Sequence, residues 1–179
     1  MKATPILAIA FAALLSGCNK SGSAASSGQT RVAVIPKGTT HIYWKSVEAG
    51  AKKAAGELGV EVTFIGPQKE DDRSQQIDLV KNQALQNDAI VLAPLDAVAL
   101  RDVVKEISDK KPVVIIDSSL ADSDSFMASY VATDNREGGR IAARALAESL
   151  GGKGKVGVLR YMQGSGSTGH REEGFLEEI

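Results

Sequence analysis

Lys111-Pro112-Val113-Val114-Ile115-Ile116-Asp117-Ser118 is the stretch that decides how this chain folds. An unbroken apolar, β-branched run, opened by proline and closed by a carboxylate and a hydroxyl, reads as a strand buried on both faces. A strand wetted on one side would alternate apolar with polar residues instead. Similar runs recur upstream. Arg31 to Pro36 carries Val32, Val34 and Ile35, Val60 to Ile65 stops at Gly66-Pro67, and Ala89 to Ala93 stops at Pro94. Met127 to Ala132 supplies a fifth. Between them the apolar spacing turns helical. Ser46 to Leu58 carries Val47, Ala51, Ala54 and Leu58 before Gly59, and Asp72 to Gln86 carries Ile77, Val80 and Ala84. Leu100, Val103, Val104 and Ile107 make a third stripe. Strands alternating with helices specify an α/β fold, a doubly wound parallel sheet sandwiched by helices.

Right-handed crossovers put all strand C-terminal ends on one edge, and ligands of open α/β sheets sit beyond that edge. The rule selects the segment Lys37 to Trp44, Pro94-Leu95-Asp96, and Asp117-Ser118. The first is read as a loop holding the only tryptophan, one of three tyrosines and one of two histidines in a chain with 4% aromatic residues. Aromatic faces at Tyr43 and Trp44 suit the apolar faces of a sugar ring, although they also suit packing of the loop. His41 fits a loop-bracing hydrogen bond. Lys37 fits a solvated charge unless it turns inward. Asp117 at the end of a buried strand needs partners, because a buried unpaired carboxylate costs several kcal/mol. It suits a vicinal diol, and Ser118 beside it suits a turn or a ligand.

At these residues the chain resembles the type I periplasmic sugar-binding proteins of bacterial ABC transporters, the ribose-binding-like family. The resemblance is carried by Tyr43-Trp44, Gly50, Ala93-Pro94-Leu95-Asp96, Pro112 to Asp117, Thr133-Asp134-Asn135 with Gly138-Gly139, and Arg171-Glu172-Glu173-Gly174-Phe175. It implies two α/β lobes that close over a small sugar, delivery of that solute to a permease, and no catalysis or cofactor. It also implies ligand contacts at Lys37, His41, Tyr43, Trp44, Asp117, Ser118 and Arg171. The chain departs from ribose binders at His41, Ser118 and Gly169. Pro36-Lys37 with Asp117-Ser118 looks nearer to binders of rhamnose and furanosyl signals.

The division expected is a first lobe over 31–133, then a hinge crossing and the incomplete start of a second lobe over 134–179. That second part is read as a helix from Glu137 to Leu150, a strand from Lys155 to Arg160, a glycine-rich loop and a further helix. One strand builds no independent sheet, so the chain reads as a fragment or truncated frame. Gly164-Ser165-Gly166-Ser167-Thr168-Gly169 spells a dinucleotide fingerprint. It lies off the first βα unit, however, and glycines there also spare bulk near a cleft.

At the N-terminus, Lys2 and the apolar run Ile6 to Leu15 precede Ser16-Gly17-Cys18. The run is too short to span a bilayer and reads as an export signal over 1–17. Cys18 reads as the lipidated residue at the head of a Ser/Gly-rich tether over 18–30. Asn19 after it favours an outer-membrane destination. With residues 1–17 removed, 20 basic face 22 acidic residues, which gives no electrostatic footprint for nucleic acid. The expected partners are thus a small carbohydrate or furanosyl solute, an ABC permease and a membrane reached through the anchor, with the protein a monomer. A sensory receptor is the alternative, and no metal-ligand spacing surrounds His41 or His170.

Overall fold

The computed structural model describes residues 28–179; the expected signal segment, Cys18 and most of the expected tether lie outside the described residues. Five strands form one sheet: β1 (Arg31–Ile35), β2 (Glu61–Phe64), β3 (Ala89–Leu92), β4 (Val113–Ile116) and β5 (Ser129–Val131). All neighbours are parallel, in the order β2-β1-β3-β4-β5. The crossover helices are α1 (Ile42–Leu58), α2 (Arg73–Gln86) and α3 (Arg101–Ser108). Strand order reverses direction after β2, so right-handed crossovers place α1 on one face and α2 with α3 on the other. In keeping with this, α2 and α3 pack against each other. This is the doubly wound sheet expected from the apolar runs.

The core lies on the α2/α3 face. Ala33, Ile35, Ile90, Leu92, Val113 and Ile115 meet Val80, Leu100, Val104 and Ile107 there. The expectation that every strand is buried on both faces needs correcting. β1 is continuously buried from Ala33 to Ile35, whereas β3 and β4 alternate buried with half-buried residues. The reason is cover: α1 lies over one part of the second face, and Val91, Val114 and Ile116 beside it stay partly open.

Two polar details hold the switch point together. Gln76 on α2 is fully buried. Its amide donates to the carbonyls of Pro36 (3.1 Å) and Ala93 (2.9 Å), and its oxygen accepts from the Leu95 amide (2.8 Å). One side chain thus pins the ends of β1 and β3, where strand order reverses. Asp72 caps α2 by accepting from the Gln75 amide at 2.9 Å, as a short acidic residue does at a helix start.

Residues beyond β5 form α4 (Asn135–Ser149) and α5 (Gly166–Glu178), which pack on each other. Their contact is close because it is made at glycines. A Cβ on Gly139 would strike the Arg171 carbonyl, and one on Gly174 would strike the Arg136 carbonyl. The expected strand over Lys155–Arg160 is not formed. The segment carries no strand pairing and is exposed throughout, because a strand needs a ladder neighbour and none of the described residues provides one. No second sheet occurs among the described residues.

Candidate functional site

The segment after β1 corrects the sequence reading at its aromatic end. Ile42, Tyr43 and Trp44 are the first turn of α1 and not part of a loop. His41 is the N-cap, its Nδ1 accepting from the Tyr43 amide at 3.1 Å. The apolar stripe begins only at Val47, and histidine is not among the usual capping residues, so the earlier start is hidden in the sequence. The turn aims Tyr43 and Trp44 toward the edge formed by the ends of β1, β3 and β4.

There the two rings meet edge to face, centroids 4.8 Å apart and planes at 72°. Trp44 is 3% exposed, and its indole nitrogen donates to Glu70 Oε1 at 2.7 Å. Tyr43 donates its hydroxyl to Asp117 Oδ1 at 3.0 Å. Burial, and after it the Asp117 charge, raise the Tyr43 phenol above its ordinary pKa. The same two causes raise Tyr130 on β5.

Asp117 sits at φ 65, the left-handed region that aspartate tolerates better than most residues. Its amide donates to the Val131 carbonyl at 3.1 Å. This turn carries the carboxylate across the edge toward β1, where Asp117 Oδ2 lies 3.0 Å from Lys37 Nζ. Lys37 is 7% exposed and turned inward. Its ammonium also donates to the hydroxyls of Ser118, Ser167 (3.1 Å) and Ser165 (3.5 Å). An ammonium has three donors, so Lys37 is fully engaged, which lowers the cost of burying its charge.

Lys37 therefore links the first βαβ edge to the start of α5. Further bonds join the same two regions. Ser118 Oγ accepts from the Ser167 amide at 3.1 Å, Ala97 N donates to the Gly164 carbonyl at 3.0 Å, and Arg73 Nη2 donates to the Gln163 carbonyl at 2.6 Å. Arg73 is held by Asp96 at 2.9 Å. Two glycines of the 164–169 motif, Gly164 and Gly166, serve this docking. Gly164, at φ +91, leaves no space for a side chain beside Asp96, and a Cβ on Gly166 would lie 2.7 Å from Ser119 Oγ.

Between the two regions lies a cavity of about 250 Å³. Among the residues expected from the sequence, Lys37, His41, Tyr43, Trp44 and Asp117 line it. Ser118 is fully buried behind Lys37. Arg171 does not line this cavity; it borders an adjoining groove between α4, α5 and the 158–161 segment. Its charge nevertheless reaches Tyr43, where it opposes the rise in phenol pKa. Sequence reasoning missed Glu70, Tyr161, Met162, Ser165 at the N-cap of α5, and Ser167 and Thr168 in its first turn. Among the described residues no cluster of three or more His, Cys, Asp or Glu is arranged to hold a metal ion.

A parallel sheet in this order, with an aromatic, carboxylate-bearing cavity at its switch point, has relatives. The family described as periplasmic binding protein domain matches residues 32–179. The chain belongs to that family. A carbohydrate transporter solute-binding protein from Agrobacterium radiobacter, solved with D-arabinose, superposes with a TM-score of 0.81 at 36% identity, over 86% of this chain and 54% of that one. An ABC transporter solute-binding protein from Agrobacterium vitis with bound D-fucose gives 0.79 at 38% identity, over 83% and 52%. A D-ribose/D-allose-binding protein of Pseudomonas aeruginosa is 29% identical over 157 residues, covering 83% of this chain and 49% of the relative. The chain thus spans about half the length of these relatives. Membership of this family supports a periplasm-associated place in the cell envelope. No helix among the described residues is long and apolar enough to cross a membrane.

Proposed function

We propose that this chain carries the first-lobe half of a solute receptor that captures a small, uncharged sugar for an ABC importer. The observation that carries the reading is the cavity at the sheet's switch point, walled by Tyr43 and Trp44 and holding Asp117 at its side. Its volume of about 250 Å³ lies just below the usual range of small-molecule sites, which suits a solute no larger than one sugar ring. The aromatic faces supply apolar contact, and Asp117 supplies an acceptor. A carboxylate offers about four lone-pair sites. Tyr43, Lys37 and Ser118 use three of them, which leaves one for a ligand hydroxyl. Lys37 and Ser118 serve chiefly to hold Asp117, and His41 fixes the turn that presents the rings.

Charge selects the class of solute. One lysine, Lys37, stands against two carboxylates, Glu70 and Asp117, in the lining. A uronate or sugar phosphate would add a further negative charge in a partly desolvated space, which is unfavourable. Capture works by closure: the 161–168 segment docks on the sheet edge over the cavity, and ligand contacts to both parts shift the population toward the closed state. The surface offered to the permease changes with that closure. Arg171 tunes the Tyr43 phenol through its charge. Lipidation at Cys18, with Asn19 directing the protein to the outer membrane, places the receptor on its membrane. Mass spectrometry of the mature N-terminus tests that part.

Calorimetry of the purified chain against pentoses, hexoses and 6-deoxyhexoses, with glucuronate and ribose 5-phosphate as charged counterparts, tests the reading. Binding of at least one uncharged sugar and of neither charged one is expected. Binding of only the charged compounds contradicts it.

A further inference from the structure

We infer that Glu70 is a positioning residue of the cavity, its carboxylate fixing the Trp44 indole in the orientation that makes it a wall for the solute. Only the ligand arm of this inference rests on the proposed sugar-binding reading; the indole's orientation is a property of the unliganded protein. The two side chains are 26 residues apart, Trp44 in the first turn of α1 and Glu70 in the β2–α2 connection. The hydrogen bond from indole Nε1 to Glu70 Oε1, at 2.7 Å, is short and charge-assisted. Trp44 is almost wholly buried, and a buried indole N–H without a partner is costly. Glu70 is thus what allows the ring to lie there.

Three features show that the arrangement is built. Gly38, directly behind Lys37, makes room for it: a Cβ there would stand 2.8 Å from Glu70 Cγ. The β2–α2 connection that carries Glu70 is braced on both sides. Gln68 N donates to Gln75 Oε1 at 2.7 Å, and the Asp72 carboxylate accepts from Gln75 N and from the Ser74 hydroxyl, both at 2.9 Å. Finally, Tyr43 touches the indole edge-on from the other side, so the ring is held between the phenol and the carboxylate. Tyr43 in turn is tied to Asp117. Glu70, Trp44, Tyr43 and Asp117 form one connected chain of contacts around the cavity.

Trp44 is the only tryptophan, so intrinsic fluorescence reports this ring alone. In the ligand-free chain, Glu70→Ala is expected to red-shift the emission and increase acrylamide quenching. Glu70→Gln, which keeps an acceptor, returns both close to the parent values, and Asp71→Ala next to it changes neither. Unchanged emission and quenching in Glu70→Ala, or no recovery in Glu70→Gln, overturns the inference. A measurement on the unmodified chain guards against a variant that does not fold. The indole N–H resonance should exchange slowly with solvent, as a buried, bonded donor does; rapid exchange also overturns the inference. In calorimetry with D-arabinose and D-fucose, Glu70→Ala is expected to weaken binding about tenfold, equivalent to roughly 1.4 kcal/mol, with Glu70→Gln recovering most of it. If neither sugar nor any other uncharged one binds the parent, the proposed function fails, while the fluorescence and resonance results still decide the role of Glu70.

Discussion

Asp117 shows how one residue reconciles opposing demands. It takes a left-handed backbone at the end of an apolar strand and collects a phenol, an ammonium and a hydroxyl around its carboxylate. Asp117→Ala removes the acceptor and is expected to weaken sugar binding about 10- to 100-fold, the weight of a hydrogen bond to a charged group. Titration calorimetry checks it, with circular dichroism to show that the fold is kept. Tyr43 adds a pH dependence of definite sign. Its pKa is raised in the folded chain, so the fold holds that proton more tightly than the unfolded chain does. Stability is intact below the ordinary phenol value of about 10 and falls as pH rises toward the raised value. Tyr43→Phe should flatten part of that alkaline decline in thermal melts; Tyr130, raised in the same direction, contributes a further part. Gln76 is the matching case inside the fold. Gln76→Leu strands two carbonyls and one amide at the switch point, and chemical denaturation should report a loss of about 2–4 kcal/mol.

At the scale of elements, what could be read in the sequence was what repeats. The run Val113–Ile116 and its counterparts are bounded by proline or glycine, so β1 to β4 and their helices stood out by period alone. The β-strand ends then directed attention to Lys37, Tyr43, Trp44 and Asp117. Hidden were the features that depend on a partner far along the chain. Nothing marks Glu70 as the acceptor for Trp44, and Gln76 looks like any solvated polar residue on a helix until the ends of β1 and β3 are seen around it. The first turn of α1 was hidden by an unusual cap, and Lys155–Arg160 has the composition of a strand without the neighbour that would make it one. The α4–α5 pair was legible only as two helices. Its close contact rests on Gly139 and Gly174 and on ion pairs that join Arg136, Arg140 and Arg144 of α4 to Glu173, Glu177 and Glu178 of α5. Gly174→Ala puts a methyl against the Arg136 carbonyl and should destabilise the pair by about 1–3 kcal/mol, seen as faster amide exchange confined to α4 and α5. Arginine partners lower the Glu137 and Glu177 carboxyl pKa values. The ion pairs therefore contribute above the ordinary carboxyl range and are lost as pH falls through the lowered values. High salt should weaken them as well.

For the molecule as a whole, the sheet's carboxyl edge and the start of α5 meet over a single connected group of side chains. Lys37 donates to residues on both sides, so the docking of the 161–168 segment and the orientation of Asp117 are one event. A solute that contacts both parts stabilises their docking, which is how a receptor of this family would report that it is loaded. The most direct check is a crystal structure of the chain with a bound uncharged monosaccharide. The sugar ring should lie in the cavity against Tyr43 and Trp44, with a hydroxyl donating to Asp117. A ring seated elsewhere, with the Tyr43–Asp117 and Trp44–Glu70 pairs undisturbed and the cavity holding only solvent, would contradict the account.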